Sequence, residues 1–175
     1  MEVIHMTEKQ ITYYLIKKCR LGRKEDVAYY LFIDAEWVWD EKNVIMDHLM
    51  GYDPSEPADS PYAIGNTSII DEIEEISFDK AMRVINEQTT EFLIDKWKKD
   101  LVKEKAEWDK NPGWPAKLVK TEFMLNGIKY VIEPPDIGLT YDCWDQGLME
   151  HFQGNMRKDL EKYGATEIWN EGFID

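Results

Sequence analysis

Alternation of apolar and polar residues sets in at Ile11. In ITYYLIKKCR, Ile11, Tyr13 and Leu15 fall on one face of an extended chain and Tyr14 and Ile16 on the other. β-Branched and aromatic residues of this kind favour a pleated, half-buried surface. LGRKED, containing Gly22, reads as a polar turn. VAYYLFID then alternates through Val27, Tyr29, Leu31 and Ile33 and predicts a second strand. The pair predicts an antiparallel hairpin over about 11–34, with a loop of about five residues. Trp37 and Trp39 lie two apart, so an extended chain puts both rings on one face.

The period changes after Asp40. EKNVIMDHLM has apolar residues at 45, 46, 49 and 50 and is closed by Gly51, which predicts a short helix with a left-handed cap. GYDPSEPADSPYAIGN follows, rich in proline and glycine, and predicts an ordered loop pinned by Tyr52, Tyr62 and Ile64. SIIDEIEEIS fits strand or helix. Ser77 is a favourable N-cap with Asp79 in the first turn. Behind it, apolar residues at 81, 85, 92, 97, 101 and 108 predict one long helix over about 78–110. At ~1.5 Å per residue it spans roughly 50 Å, with Thr89-Thr90 its weakest point.

Asn126-Gly127 separates AKLVKTEFML from IKYVIE. Asn-Gly is the favoured dipeptide of a two-residue type I′ turn, because both central residues need positive φ. The hairpin over about 116–133 then pairs Phe123 with Tyr130 and Leu125 with Ile128, and Pro134-Pro135 ends it. A helix over about 143–163 aligns Leu148, Phe152, Met156, Leu160 and Tyr163, with Gly164 as its cap. The tail ATEIWNEGFID offers a last short strand. Strands arriving as hairpins, with no βαβ rhythm, predict an α+β fold: an antiparallel sheet with the helices packed on it. At 175 residues the expectation is a single globular domain, 1–175.

Composition changes the picture through charge. The chain carries a formal net charge of −14, unevenly placed. Residues 34–79 hold 13 acidic side chains against one basic, Lys42, and residues 133–175 hold 10 against 3. The remaining stretches are weakly positive. With 43% hydrophobic and 13% aromatic residues, the chain has the apolar surface that a disordered chain lacks. Cys19 and Cys143 are too few for a disulfide framework. With no signal-peptide core and no run of ~18 apolar residues, the expected place is a reducing cytoplasm, away from membranes.

No catalytic signature emerges. GxxxxGK[ST], GxGxxG and GxSxG are absent, and His5, His48 and His151 are scattered. Asp53, Ser55 and Asp59 hint at a calcium loop, but Pro57 and the missing glycine depart from that pattern. No metal, cofactor or catalytic residue is therefore expected. Direct nucleic-acid binding is disfavoured, because the Lys96–Lys105 run is interleaved with Asp100 and Glu104.

The acidic surface remains. Asp71, Glu72, Glu74 and Glu75 form its densest patch, with Asp53, Glu56 and Asp59 upstream. A solubilising surface is the plain explanation. The functional one is a docking face for a basic protein groove, since complementary fields speed and orient encounter. Acidic inhibitors of nuclease toxins and phage-encoded anti-CRISPR proteins share this size and charge, an analogy of composition that no motif carries. The expected partner is thus a basic nuclease or Cas-type effector. The competing expectation is a small hydrolase or carbohydrate-binding module using Trp37, Trp39 and nearby carboxylates.

Overall fold

The computed structural model describes residues 10–51, 56–60, 63, 68–110, 116–133 and 146–174. The chain divides into two compact units, Met1–Ile85 and Asn86–Asp175. In the first unit, β1 (Ile11–Ile16), β2 (Arg20–Glu25), β3 (Ala28–Ile33) and β4 (Glu36–Trp39) follow one another as an antiparallel meander. Helix α1 (Val44–Met50) and a 3-10 turn (Ser68–Glu72) lead to β5 (Ile73–Ile76), which pairs antiparallel with β1. The sheet order is β4-β3-β2-β1-β5, so β4 and β5 are its edges among the described residues.

The alternation read at Ile11 fills both faces of this sheet. Tyr13 and Leu15 join Leu21, Phe32, Ile76 and Ala81 in one buried cluster. Tyr14 and Ile16 join Leu31 and Ile45 in another. The first cluster is closed by the opening turns of helix α2 (Phe78–Trp108) through Ala81, Met82, Val84 and Ile85. The second is closed by α1. Each face therefore removes its own apolar row from water.

One expectation is corrected here. The segment read as a polar turn, 21–26, is largely strand β2, and the first hairpin is a run of three tight connections. Leu21 is fully buried and Gly22 is buried, so β2 contributes to both faces. Its polar residues are tolerated because they lie over rings. The Arg23 guanidinium sits 4.5 Å from the Trp37 centroid and 5.3 Å from that of Tyr30, and the Lys24 ammonium 5.8 Å from that of Tyr29. The connections place Lys17, Lys18, Asp26, Asp34 and Ala35 at positive φ, without glycine.

The second unit holds β6 (Ala116–Leu125), β7 (Ile128–Ile132), helix α3 (Gln146–Lys162) and β8 (Thr166–Ile174), with the rest of α2. Its sheet has the order β7-β6-β8. The two predicted hairpins thus belong to separate antiparallel sheets, and the α+β class stands. Asn126 and Gly127 both have positive φ, and the pairs Phe123↔Tyr130 and Leu125↔Ile128 form as the turn dictates. The tail is strand β8, paired to β6. Leu93, Trp97 and Leu101 of α2 pack with Phe152, Met156 and Leu160 of α3 over Leu118, Phe123 and Leu125. Asp159 accepts from the Trp97 indole at 2.9 Å and from Lys96 at 2.6 Å, tying the two helices together.

Candidate acidic docking site

Glu72 closes the 3-10 turn and Glu74 and Glu75 lie on β5, an edge strand of the first sheet. The local sequence dictates this arrangement. Ile73 and Ile76 pair with Ile16 and Tyr13 of β1, which leaves Glu74 and Glu75 to face outward, both exposed. Successive strand residues point to opposite faces, so Glu72 and Glu74 share one face and Glu75 takes the other. Charged residues on a short edge strand also discourage unwanted strand pairing.

Lysines temper two of the four acids. Lys17 lies 3.5 Å from Glu72 Oε2, and Lys80 donates to Glu74 at 2.8 Å. With Lys80 and Glu74 both about half exposed, such a pair is weak. Glu72 Oε2 is buried and receives no hydrogen bond among the described residues, only the nearby Lys17 ammonium. Beside it opens a cleft of about 420 Å³ lined by Leu15, Lys17, Lys18, Asp71, Glu72, Ile73 and Glu74. Burial raises the Tyr14 phenol above its usual pKa, helped by the charges of Tyr29 and Glu75.

The other predicted acids stand apart in sequence. Glu56 and Asp59 sit on the short segment 56–60, where Glu56 accepts from the Ser60 hydroxyl at 2.6 Å. Asp53 lies outside the described residues. Sequence reasoning missed Lys17 and Lys80 as partners of the patch. The Lys17–Glu72 contact depends on β1 pairing with β5, which no local signal announces.

The two tryptophans have different surroundings. Trp37 packs on Phe32 at 5.1 Å and Tyr13 at 6.2 Å, with Arg23 over its ring. Trp39 is 67% exposed. It borders a cleft of about 220 Å³ that also includes Arg20, Asp40 and Glu41. Asp40, the buried carboxylate there, is engaged: its oxygens accept from the Val44 amide at 2.9 Å and the Ile45 amide at 2.8 Å. It caps α1, a service that Asn43 does not provide.

Of the histidines, His48 donates from Nδ1 to the Val44 carbonyl at 2.7 Å and His151 lies 3.3 Å from Glu104. Cys143 and His5 lie outside the described residues. Among the described residues, no group of three His, Cys, Asp or Glu is placed to hold a metal ion. Among the described residues, no helix is long and apolar enough to cross a membrane. No protein-family model, curated protein or solved structure matches this chain.

Proposed function

We propose that this chain acts by binding another protein, presenting the acids of the 3-10 turn and β5 to a basic surface. The observation that carries this reading is the exposure of Asp71, Glu74 and Glu75 together on the turn and edge strand of one sheet, beside an open cleft. Rigid acids on a sheet edge give a partner a fixed pattern of charge, which favours orientation as well as encounter. The partner class that fits is a nucleic-acid-handling protein whose groove is already basic. Inhibition of a nuclease toxin or a Cas-type effector, by occupying that groove, is the concrete form. In this reading the chain needs no cofactor, performs no reaction of its own and works in the cytoplasm beside its target.

The two tryptophans divide between this reading and a sugar platform. Arg23 covers Trp37, and Asp40, the buried carboxylate beside Trp39, caps a helix, which weighs against a platform built on both rings. Trp39, 67% exposed beside a cleft of about 220 Å³, is the observation that favours the second reading, a carbohydrate-binding module.

The test is affinity capture with the tagged chain from its native host, followed by association kinetics with the captured protein. A basic nuclease or effector is the expected partner. Its association with the wild type should slow as salt rises and should slow further when Asp71, Glu72, Glu74 and Glu75 are reversed to lysine. Equal on-rates for both proteins would reduce the patch to a solubilising surface. Turnover of generic nuclease, esterase, phosphatase or glycosidase substrates, lost on one carboxylate substitution, would overturn the non-catalytic reading.

A further inference from the structure

The edge of β5 offers more than charge. The Lys17 amide donates to the Glu72 carbonyl at 2.7 Å, which makes that residue pair a hydrogen-bonded one. An antiparallel ladder alternates bonded and non-bonded pairs. With the observed register, Leu15/Glu74 and Tyr13/Ile76 are bonded pairs, and Ile73 and Glu75 turn their N–H and C=O groups away from β1. Among the described residues the sheet ends there, since β5 has β1 as its strand neighbour and no described strand beyond it. The Glu74 side chain stands on the same face as Glu72, next to the 420 Å³ cleft.

We propose that β5 is a strand-addition site: an extended, dibasic segment of the partner pairs with Ile73 and Glu75 as a sixth strand. This rests on the acidic docking reading and names its mode. Backbone pairing supplies the fit, and two consecutive basic residues supply specificity, because successive side chains point to opposite faces. The residue opposite Glu74 enters the cleft on the Glu72 side, where it must share Glu72 Oε2 with the Lys17 ammonium, 3.5 Å away. The residue opposite Glu75 takes the other face. Lys80 must then leave Glu74, a small loss for an exposed pair. The acids that block pairing with neutral or acidic strands thereby admit a basic one.

The experiment uses the full chain and a blocked synthetic peptide, Thr-Val-Arg-Arg-Val-Thr, with binding read by fluorescence anisotropy. Two further peptides of identical charge are N-methylated at alternate amides, one in each alternation. The expected result is binding of the parent and loss of about tenfold or more for one alternation, because methylation removes the donors that face β5. Replacing Glu75 by Pro should weaken the parent similarly. An outward-facing edge amide is where a strand tolerates proline, and an unchanged circular dichroism spectrum would confirm the fold. Equal binding of all three peptides would overturn strand addition and leave charge docking standing. No binding of the parent at millimolar concentration would also overturn it. The salt series with the captured partner tests the docking reading separately.

Discussion

Ile45 occupies the space that a β-carbon on Gly22 would need. A Cβ built there would lie 2.6 Å from Ile45 Cδ1 and 3.0 Å from Cγ1. Helix α1 can sit this close to β2 because the strand has no side chain at that point. Ile45 is fully buried among Tyr14, Ile16 and Leu31, so it has little room to yield. Gly22→Ala should destabilise the fold by about 1–2 kcal/mol, overpacking outweighing the smaller gain from a stiffer unfolded chain. Adding Ile45→Val, which removes Cδ1, should recover part of the loss. Chemical denaturation of both variants measures the coupling, and additive effects would refute the contact.

Asp40→Ala should cost about 2 kcal/mol, since two helix amides lose their acceptor in a buried place. Asp40→Asn should cost less, as it keeps one oxygen. The α1 amides of Val44 and Ile45 should exchange with deuterium faster in both variants. A denaturation midpoint that Asp40→Ala leaves unchanged would remove the cap from the account of α1.

At the second hairpin the cost should come from the backbone alone. A Cβ on Gly127 meets nothing within 4 Å, yet its φ is +78°. Gly127→Val should therefore destabilise by about 1 kcal/mol or more, Gly127→Ala by less and Gly127→Asn least, the order in which side chains tolerate positive φ. Equal costs for the three would mean that side-chain space, not φ, governs the turn. The turn is also held from the side: Asn86, fully buried, donates to the Leu125 carbonyl and accepts from Asn126, both at 2.7 Å.

Those turns explain what was legible. The second hairpin announces itself through Asn126-Gly127, and its register follows residue for residue. The first three connections use Lys17-Lys18, Asp26 and Asp34-Ala35 in the same left-handed region, residues that carry no comparable signal. Strand β2 hides because its only large apolar residue is Leu21, and its cations are sheltered by rings three or more positions away in sequence. The acids of the docking site were visible as a run. Their division between two faces follows only once 73–76 is strand rather than helix, and the Lys17 contact at Glu72 depends on the long-range pairing of β1 with β5, while Lys80 reaches Glu74 from the start of α2, six residues on.

Alkali should weaken the chain through tyrosine and lysine together. Burial raises the Tyr130 phenol despite an opposing Asn86 hydrogen bond, as it raises that of Tyr14. The unfolded chain then loses those protons first, so stability falls once pH passes the ordinary tyrosine value of about 10. Burial pulls the Lys96 ammonium down, but hydrogen bonds to Asp159 and Asp100 outweigh it and leave the pKa raised. That contribution is whole below the ordinary lysine value and disappears as pH rises through the folded one. Glu122 runs the other way. Hydrogen bonds from Lys129 and Lys120 lower its pKa, so its contribution is lost as pH falls through the folded value. Melting temperature against pH should decline at both ends, and Tyr14→Phe should flatten the alkaline limb.

Charge reversal should separate docking from stability. Asp71 and Glu75 are exposed, while Glu72 and Glu74 stand beside Lys17 and Lys80. Reversing Glu72 and Glu74 to lysine sets like charges together and should cost up to about 1 kcal/mol of stability, the scale of exposed pairs. Reversing Asp71 and Glu75 should leave the melting temperature nearly unchanged, within the usual ±0.5 kcal/mol or so for surface substitutions. Both double variants should associate more slowly with the captured partner at low salt. The gap should narrow as the Debye length falls from ~10 Å at 0.1 M to ~3 Å at 1 M salt. Stopped-flow association at the two salt concentrations, beside thermal melts, measures both effects. A slow on-rate confined to the Glu72/Glu74 variant would trace the effect to a weakened fold and withdraw Asp71 and Glu75 from the docking face.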